Sequence, residues 1–203
     1  VAMEDDPNLS GHLAVIWRKS PTTFANGVQR AVPMNAMSLI EQDGKPFIKP
    51  WLEHYGLKEW LTQFIKVTVV PVWHLLVSKG VAVEAHAQNI ILVHEDGWPI
   101  KIILRDFHES LEYVENFLGQ PSLAPDFKEL HPCYLNAADD EFYWMSSIEG
   151  LRELIMDTLF VFHLSEVSFL LSEHMNFKEE AFWGMVRETI HSHLILHPPL
   201  QKR

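Results

Sequence analysis

The densest set of reactive side chains in the sequence is the run Glu84-Ala85-His86-Ala87-Gln88-Asn89, and Arg105-Asp106 follows it after a short β-rich interval. An asparagine and an aspartate converging from two strand ends make an oxygen-donor pair. Such a pair suits Mg²⁺, a hard ion that takes one or two protein oxygens and fills its remaining positions with water and substrate phosphates. His86 and Arg105 add donors for phosphate or carboxylate oxygens. On an extended stretch Glu84, His86 and Gln88 share one face, because side chains alternate along a strand. A solvated sheet edge with no ligand would show the same polar cluster, so spacing alone leaves both readings open.

These residues can meet only if the elements around them fold back. Residues 89–93 and 100–104 are β-rich and flank an interval containing Asp96-Gly97, a favoured tight-turn pair, which predicts a β-hairpin. A hairpin returns the chain to its start and so brings Asp106 close to Asn89. Val81-Ala82-Val83 reads as a strand leading into the cluster. Before it, apolar residues recur at helical spacing over 57–78, with a kink expected at Pro71 and a stop at Lys79-Gly80. Residues 50–55 predict a helix with Pro in its first turn, residues 35–42 a short helix, and residues 13–17 a strand. Downstream, residues 111–118 predict a short helix, and Pro121, Pro125 and Pro132 mark a loop. Residues 147–173 read as one long helix or two abutting ones. Asn176 is expected to cap a last helix over 177–194, with Glu179 completing a capping box.

Composition narrows the class. The chain has 203 residues, 47% of them hydrophobic and seven of them Trp, enough apolar surface for a core and too much for disorder. A net charge of −11 disfavours phosphate backbones, so nucleic acid is not an expected partner. The same charge suits a cationic ligand such as a polyamine, and equally suits plain solubility. The single cysteine, Cys133, cannot form an internal disulfide, a CxxC zinc site or a four-cysteine iron–sulfur cluster. It reads as a packed small hydrophobe in a reducing, cytoplasmic setting. The two greasiest stretches, 64–83 and 151–171, carry several charges each and read as core helices, not membrane spans. No signal peptide is read at the start, and residues 1–12 are taken as a disordered leader.

The run from Gly80 through Glu84, His86, Gln88 and Asn89, followed by Leu104-Arg105-Asp106-Phe107, closely resembles the signature of the NRPS-independent siderophore (NIS) synthetases, the IucA/IucC family. Ala14-Val15-Ile16-Trp17-Arg18 resembles the apolar-Arg segment that precedes it there, although Lys19 stands where an acidic residue is common. The weaker resemblance extends from about residue 13 to the end. It implies an α+β fold: a mainly helical, palm-like domain with a small antiparallel hairpin or sheet, distantly kinase-like. It also implies an enzyme that uses MgATP to adenylate a carboxylate of citrate or a citryl derivative and then joins it to an amine, hydroxylamine or alcohol. By matching position, Glu84, His86, Gln88, Asn89 and Asp106 are similar to the family's palm-side ATP and Mg²⁺ residues. Asn89 and Asp106 are the metal candidates, and His86 and Arg105 the catalytic candidates. Protein kinases hold Mg²⁺ with an Asn and a later Asp in the same way.

The resemblance has gaps. Family members are much longer and carry a phosphate-clamping Ser/Arg/Thr loop in their first half. No such loop precedes residue 80, since Thr22-Thr23 and Arg30 stand in the wrong context, and His108-Glu109 replace smaller or acidic residues after Asp106. The chain is therefore expected to be the C-terminal fragment of a synthetase, inactive alone, partnered by the missing N-terminal half and by a citrate-like carboxylate and an amine or polyamine, with a homodimer possible. Residues 13–110 would carry the sheet, the long helix and the site, and 111–203 a helical bundle, together one domain. Some members' C-terminal regions carry the name FhuF, associated with ferric reductases; that chemistry needs several cysteines and is rejected here. The competing readings are a helical module that binds a polyamine or carboxylate without chemistry, and a helical interaction domain. Of the twelve histidines, His193 and His197 could share a helix face, whereas His191 and His193 are poor co-ligands; His163 reads as a satisfied core residue. Leu151, Leu154, Ile155, Leu159, Phe162 and Leu170 read as core, and Trp183, Met185 and Val186 as core or interface.

Overall fold

The computed structural model describes residues 17, 19–107 and 111–202. The expected leader, His108 and all but Trp17 of the strand expected over 13–17 lie outside them.

In chain order the regular elements are β1 (Arg30–Pro33), α1 (Lys49–Tyr55), α2 (Leu57–His74), β2 (Val81–Val83), β3 (Ile90–Glu95), β4 (Trp98–Leu104), β5 (Leu111–Tyr113), the short α3 (Phe127–Leu130), α4 (Ile148–Ile155), α5 (Ser165–Met175) and α6 (Glu179–Leu196). Two antiparallel sheets form, β1-β3-β4 and β2-β5. The architecture is α+β and mainly helical, as expected.

The hairpin forms where the β-rich runs and Asp96-Gly97 predicted it. Ile90 pairs with Leu104, and Glu95 with Trp98. Asp96 and Gly97 both adopt positive φ, the conformation such a tight turn demands. The turn end is bolted to the helices. Trp60 Nε1 donates to Gly97 O at 2.8 Å, Gln63 Nε2 to Pro99 O at 2.8 Å and Tyr55 Oη to Asp96 O at 3.0 Å. Trp51 packs between Phe47, Trp60 and His94. With one end fixed, the other end of the hairpin, where residues 89 and 105 meet, is also fixed.

The long helix carries on past Pro71, which is exposed and lies inside α2, then widens into a π-helical segment over Leu75–Lys79. Gly80 ends it in the left-handed conformation (φ 72°), as the Lys79-Gly80 pair predicted. The second long helix is also interrupted, because α4 runs into a π-helical segment, Met156–Leu164, before α5 begins. Both helices are long and apolar enough to cross a membrane by length and composition. Here their apolar residues fill one core: Trp60, Leu61, Phe64 and Ile65 from α2 pack with Leu151, Ile155, Leu159 and Leu164, and with Phe182 of α6.

Several expectations fail, each for a physical reason. Residues 111–118 form β5 and a 3-10 turn, not a helix, because Val81–Val83 offers β5 an antiparallel partner. The short helix expected over 35–42 is a 3-10 turn, Met34–Ser38, after which Ile40 bridges Pro46. Asn176 terminates α5 with φ 51° and does not cap α6, whose N-cap is Lys178 with no side-chain cap bond. Phe162 is 63% exposed while Leu151, Ile155, Leu159 and Leu170 are buried. The π-segment turns more slowly than the α-periodicity assumed, so that phase is lost at its end. Cys133 is exposed in a 3-10 turn of the Pro-rich region, where its N–H donates to His131 Nδ1 at 3.2 Å, so it is no core residue.

Candidate functional site

Strand β2 stops at Val83, and the chain then turns instead of staying extended. Residues 87–89 form a 3-10 turn whose N-cap is His86. The shared face expected for Glu84, His86 and Gln88 is thus only partly realised. Glu84 and His86 meet, with Glu84 Oε1 3.3 Å from His86 Nε2. Gln88 is exposed and joins the cluster through its main chain. Its N–H donates to His86 Nδ1 at 3.2 Å, and its carbonyl accepts from Arg105 Nε at 3.1 Å.

These contacts assign the His86 tautomer. Nδ1 accepts the Gln88 N–H, so the neutral ring carries its proton on Nε2, directed at the Glu84 carboxylate. Both ring nitrogens are committed in this arrangement. His86 is a hydrogen-bond donor on its Glu84 side, able to redirect that proton to another oxygen if Glu84 is drawn elsewhere.

Asn89 is buried, 6% exposed, at the start of the hairpin. Its Nδ2 donates to Glu84 O at 3.2 Å and to Glu84 Oε2 at 3.4 Å, which fixes the amide plane and turns the side-chain oxygen away from Glu84. Across the hairpin, Arg105 N donates to Asn89 O at 3.1 Å, so Asn89 and Arg105 sit opposite one another. Asp106 is the next residue and adopts φ 58°, a left-handed conformation uncommon for residues other than glycine and worth noting at a site. Its Oδ2 lies 3.4 Å from Arg105 Nε. The structure therefore gathers Glu84, His86 and Asn89 through side-chain contacts, with Arg105 tied on through the Gln88 carbonyl and Asp106 through Arg105.

Residues far away in sequence support this arrangement, and the sequence reading missed them. Thr158 Oγ1, in the π-segment, accepts the Ala85 N–H at 3.1 Å and donates to Leu154 O at 2.6 Å. His163, from the same segment, is 2% exposed, and neither ring nitrogen has a hydrogen-bond partner among the described residues. Burial, with a smaller contribution from nearby His86, holds its pKa down to about 4. It is a buried histidine, as expected, but not a satisfied one. Glu112 of β5 has its pKa raised by burial and by the charges of Asp140 and Glu84. Nothing local in the sequence marks Thr158 or His163, which lie within an apolar helical run, and Glu112 was hidden by the helix expected there.

The histidines near the C-terminus form a separate group. His74 Nδ1 lies 3.1 Å from His193 Nε2, and the His193 and His197 rings are 4.5 Å apart, whereas His191 is exposed and lines a different groove. This agrees with the pairing of 193 with 197 and the exclusion of 191.

The donor set fits a magnesium ion with few protein ligands. Asn89 offers an oriented amide oxygen and Asp106 a carboxylate, both hard donors, and no group of three or more His, Cys, Asp or Glu among the described residues is arranged to hold a metal. Two hard oxygen donors suit an ion that keeps water and substrate oxygens in its remaining positions.

Residues 58–203 match the family described as "Ferric iron reductase FhuF-like transporter". The chain is 42% identical over 193 residues to the "Citryl-spermidine/3,4-dihydroxybenzoyl-citryl-spermidine:spermidine ligase" of Bacillus anthracis, covering 95% of this chain and 32% of that protein. It superposes on the crystal structure of the petrobactin biosynthesis protein AsbB from the same organism with a TM-score of 0.90 and 40% identity, over 98% of this chain and 33% of that one. The aerobactin synthetase IucC of Klebsiella pneumoniae aligns with a TM-score of 0.80 and 25% identity, over 96% of this chain and 34% of that one. The chain spans about a third of the length of the curated relatives it matches. Motif, fold and these matches agree that the chain belongs to the FhuF-like family, as a C-terminal domain of the NRPS-independent siderophore synthetase (IucA/IucC) type.

Proposed function

We propose that this chain is the palm part of an ATP- and Mg²⁺-dependent synthetase that adenylates a carboxylate of citrate or a citryl derivative and condenses it with an amine, hydroxylamine or alcohol. The observation that carries the reading is the pinned Asn89 amide, held by Glu84 beside His86 and opposite Arg105-Asp106. The names of the relatives support it: the Bacillus anthracis protein is a ligase of citryl-spermidine, and another family structure, of IucA, is described as ATP-bound.

In this reading Asn89 and Asp106 would hold Mg²⁺, which would supply positive charge to offset that of the substrate phosphates. Glu84 orients His86 and Asn89 together. His86, a donor through Nε2, stabilises the oxygen on which negative charge grows as the carboxylate attacks the α-phosphorus. Arg105, tethered to the Gln88 carbonyl, holds the 3-10 turn against the hairpin and presents its positive charge to the same region. The remaining phosphate clamps come from the rest of the synthetase, so the chain alone supplies half of a site. The enzyme would be cytoplasmic and could assemble as a homodimer.

Thermal denaturation tests this directly. Mg²⁺ with ATP should raise the midpoint of the chain more than ATP or Mg²⁺ alone, and Asn89→Ala and Asp106→Ala should each remove the Mg²⁺-dependent part. Citrate plus an amine should yield no AMP above background with this chain alone. Stabilisation by citrate or spermidine with no nucleotide effect would instead assign a binding module.

A further inference from the structure

The Asn89 amide is only as fixed as the group that holds it. Its Nδ2 donates to the Glu84 carbonyl, and that carbonyl belongs to the same planar peptide unit as the Ala85 N–H. The unit lies beyond Val83, where the pairing of β2 with β5 ends, and before the 87–89 turn, so neither element sets its rotation. Ala85 is fully buried, and its N–H has to find an acceptor within the protein because water does not reach it. Thr158 supplies that acceptor from 73 residues further along the chain.

The hydroxyl is itself directed. Thr158 Oγ1 donates its proton to Leu154 O at 2.6 Å, which leaves its lone pairs for the Ala85 N–H at 3.1 Å. The bonds therefore form one chain with a single sense. The Asn89 amide donates to the Glu84 carbonyl, the N–H of the same peptide donates to Thr158, and Thr158 donates to Leu154. Each bond polarises the next. Thr158 is 5% exposed, and its branched β-carbon restricts the rotation that would carry the hydroxyl away. Turning the Asn89 amide over would set its Oδ1 against the Glu84 carbonyl, oxygen on oxygen, so the chain also decides which end of the amide faces away from Glu84. Thr158 belongs to the π-segment Met156–Leu164, which packs against the 87–89 turn, and π-helical turns recur where a helix serves a site.

We propose that Thr158 is a positioning residue for the nucleotide site: it holds the Glu84–Ala85 peptide, and through that peptide it aims the Asn89 side-chain oxygen at the place where the metal of a Mg²⁺–nucleotide would sit. The inference rests on the reading of Asn89 as a ligand to that metal. Thr158 touches neither the ion nor the substrate and acts by orientation alone, as outer partners of metal ligands do.

The test uses the 203-residue chain and two readouts. Titration calorimetry with Mg²⁺–ATP, and with ATP in excess chelator, gives the preference for the metal-bound nucleotide. A nitrogen–proton correlation spectrum reports the Asn89 side-chain amide, identified by its disappearance in Asn89→Ala. Thr158→Val keeps the side-chain shape and removes the hydroxyl; Thr158→Ser keeps the hydroxyl and removes the methyl. Thr158→Val should lower the preference about tenfold, toward that of Asn89→Ala, and move the Asn89 amide protons to the position of a solvated amide, whereas Thr158→Ser should retain both. Thr158→Ala removes the acceptor a second way and should repeat the valine result should valine strain the segment. An unchanged Asn89 amide signal without the hydroxyl, or a serine variant as defective as the valine one, overturns the proposal. Equal weakening of Mg²⁺–ATP and metal-free ATP also overturns it, since that is what a merely structural role would give. If the wild-type chain shows no preference for the metal-bound nucleotide, the reading of Asn89 as a metal ligand falls, while the amide signals of the valine and serine variants still decide whether Thr158 orients Asn89.

Discussion

At the scale of single residues, His163 and Asn89 show opposite ways of burying a polar side chain. Asn89 is enclosed and bonded to Glu84; His163 is enclosed and has no hydrogen-bond partner among the described residues. An unpaired buried polar group destabilises by about 1–3 kcal/mol. His163→Phe and His163→Leu should therefore leave thermal stability unchanged or raise it by up to roughly that amount, a result denaturation at pH 7 would check. The pH dependence follows from the same burial. Folded His163 titrates near 4 and the unfolded side chain near 6.5, so between those values the unfolded chain binds a proton that the native one refuses. Stability should then fall as pH drops from about 6.5 toward 4, by at most about 1.4 kcal/mol per pH unit from this group, and the His163→Leu variant should lose that part of the slope. The site motif itself was legible because its residue types are chemically particular and closely spaced. The contact of Thr158 with Ala85 was not, since it joins positions far apart in sequence through a helix whose pattern reads only as apolar.

At the scale of elements, the hairpin and the helix stops were legible because turn chemistry is local. Asp96-Gly97 and Lys79-Gly80 each need positive φ, and glycine supplies it at little cost. Gly80 carries a further constraint. A Cβ there would lie 2.2 Å from the Phe117 carbonyl oxygen, where main chain cannot move aside easily. Gly80→Ala should destabilise by more than the roughly 1 kcal/mol typical of a strained backbone position, and should loosen the β2–β5 pair, as amide exchange over 81–83 and 111–113 would report. Asn176 makes a complementary case at the end of α5: with φ 51°, Asn176→Gly should be neutral or mildly stabilising and Asn176→Ala destabilising by about 1 kcal/mol, measurable by chemical denaturation. What could not be read were pairings between distant strands. Arg30–Pro33 reaches β3, and Leu111–Tyr113 reaches β2, by tertiary contact alone. The two π-segments were hidden for a related reason: an apolar run does not declare how tightly it winds.

At the scale of the whole molecule, one core spans the two zones separated in the sequence, with α2 packed on α6 and the π-segment beneath the 87–89 turn. The stretch from Glu115 to Ser146 stands apart in character. It has only short turns and the brief α3, and its rings gather around Phe127 in a cluster of their own with Tyr134, Tyr143 and Trp144. It is tied to the body by β5, by the bridge between Tyr113 and Trp144, and by Gly119 N–H donating to Lys79 O. With so few main-chain links, this region should open before the helices do, and a protease should nick it first. A cavity of about 410 Å³, lined by Val81 and Leu111 on one side and by Leu123, Phe127 and Tyr143 on the other, lies along that seam. Whatever fills it would act as a rivet between a loosely fastened flap and a rigid chassis, so occupancy would be felt as slower digestion of the flap at a distance from the bound molecule.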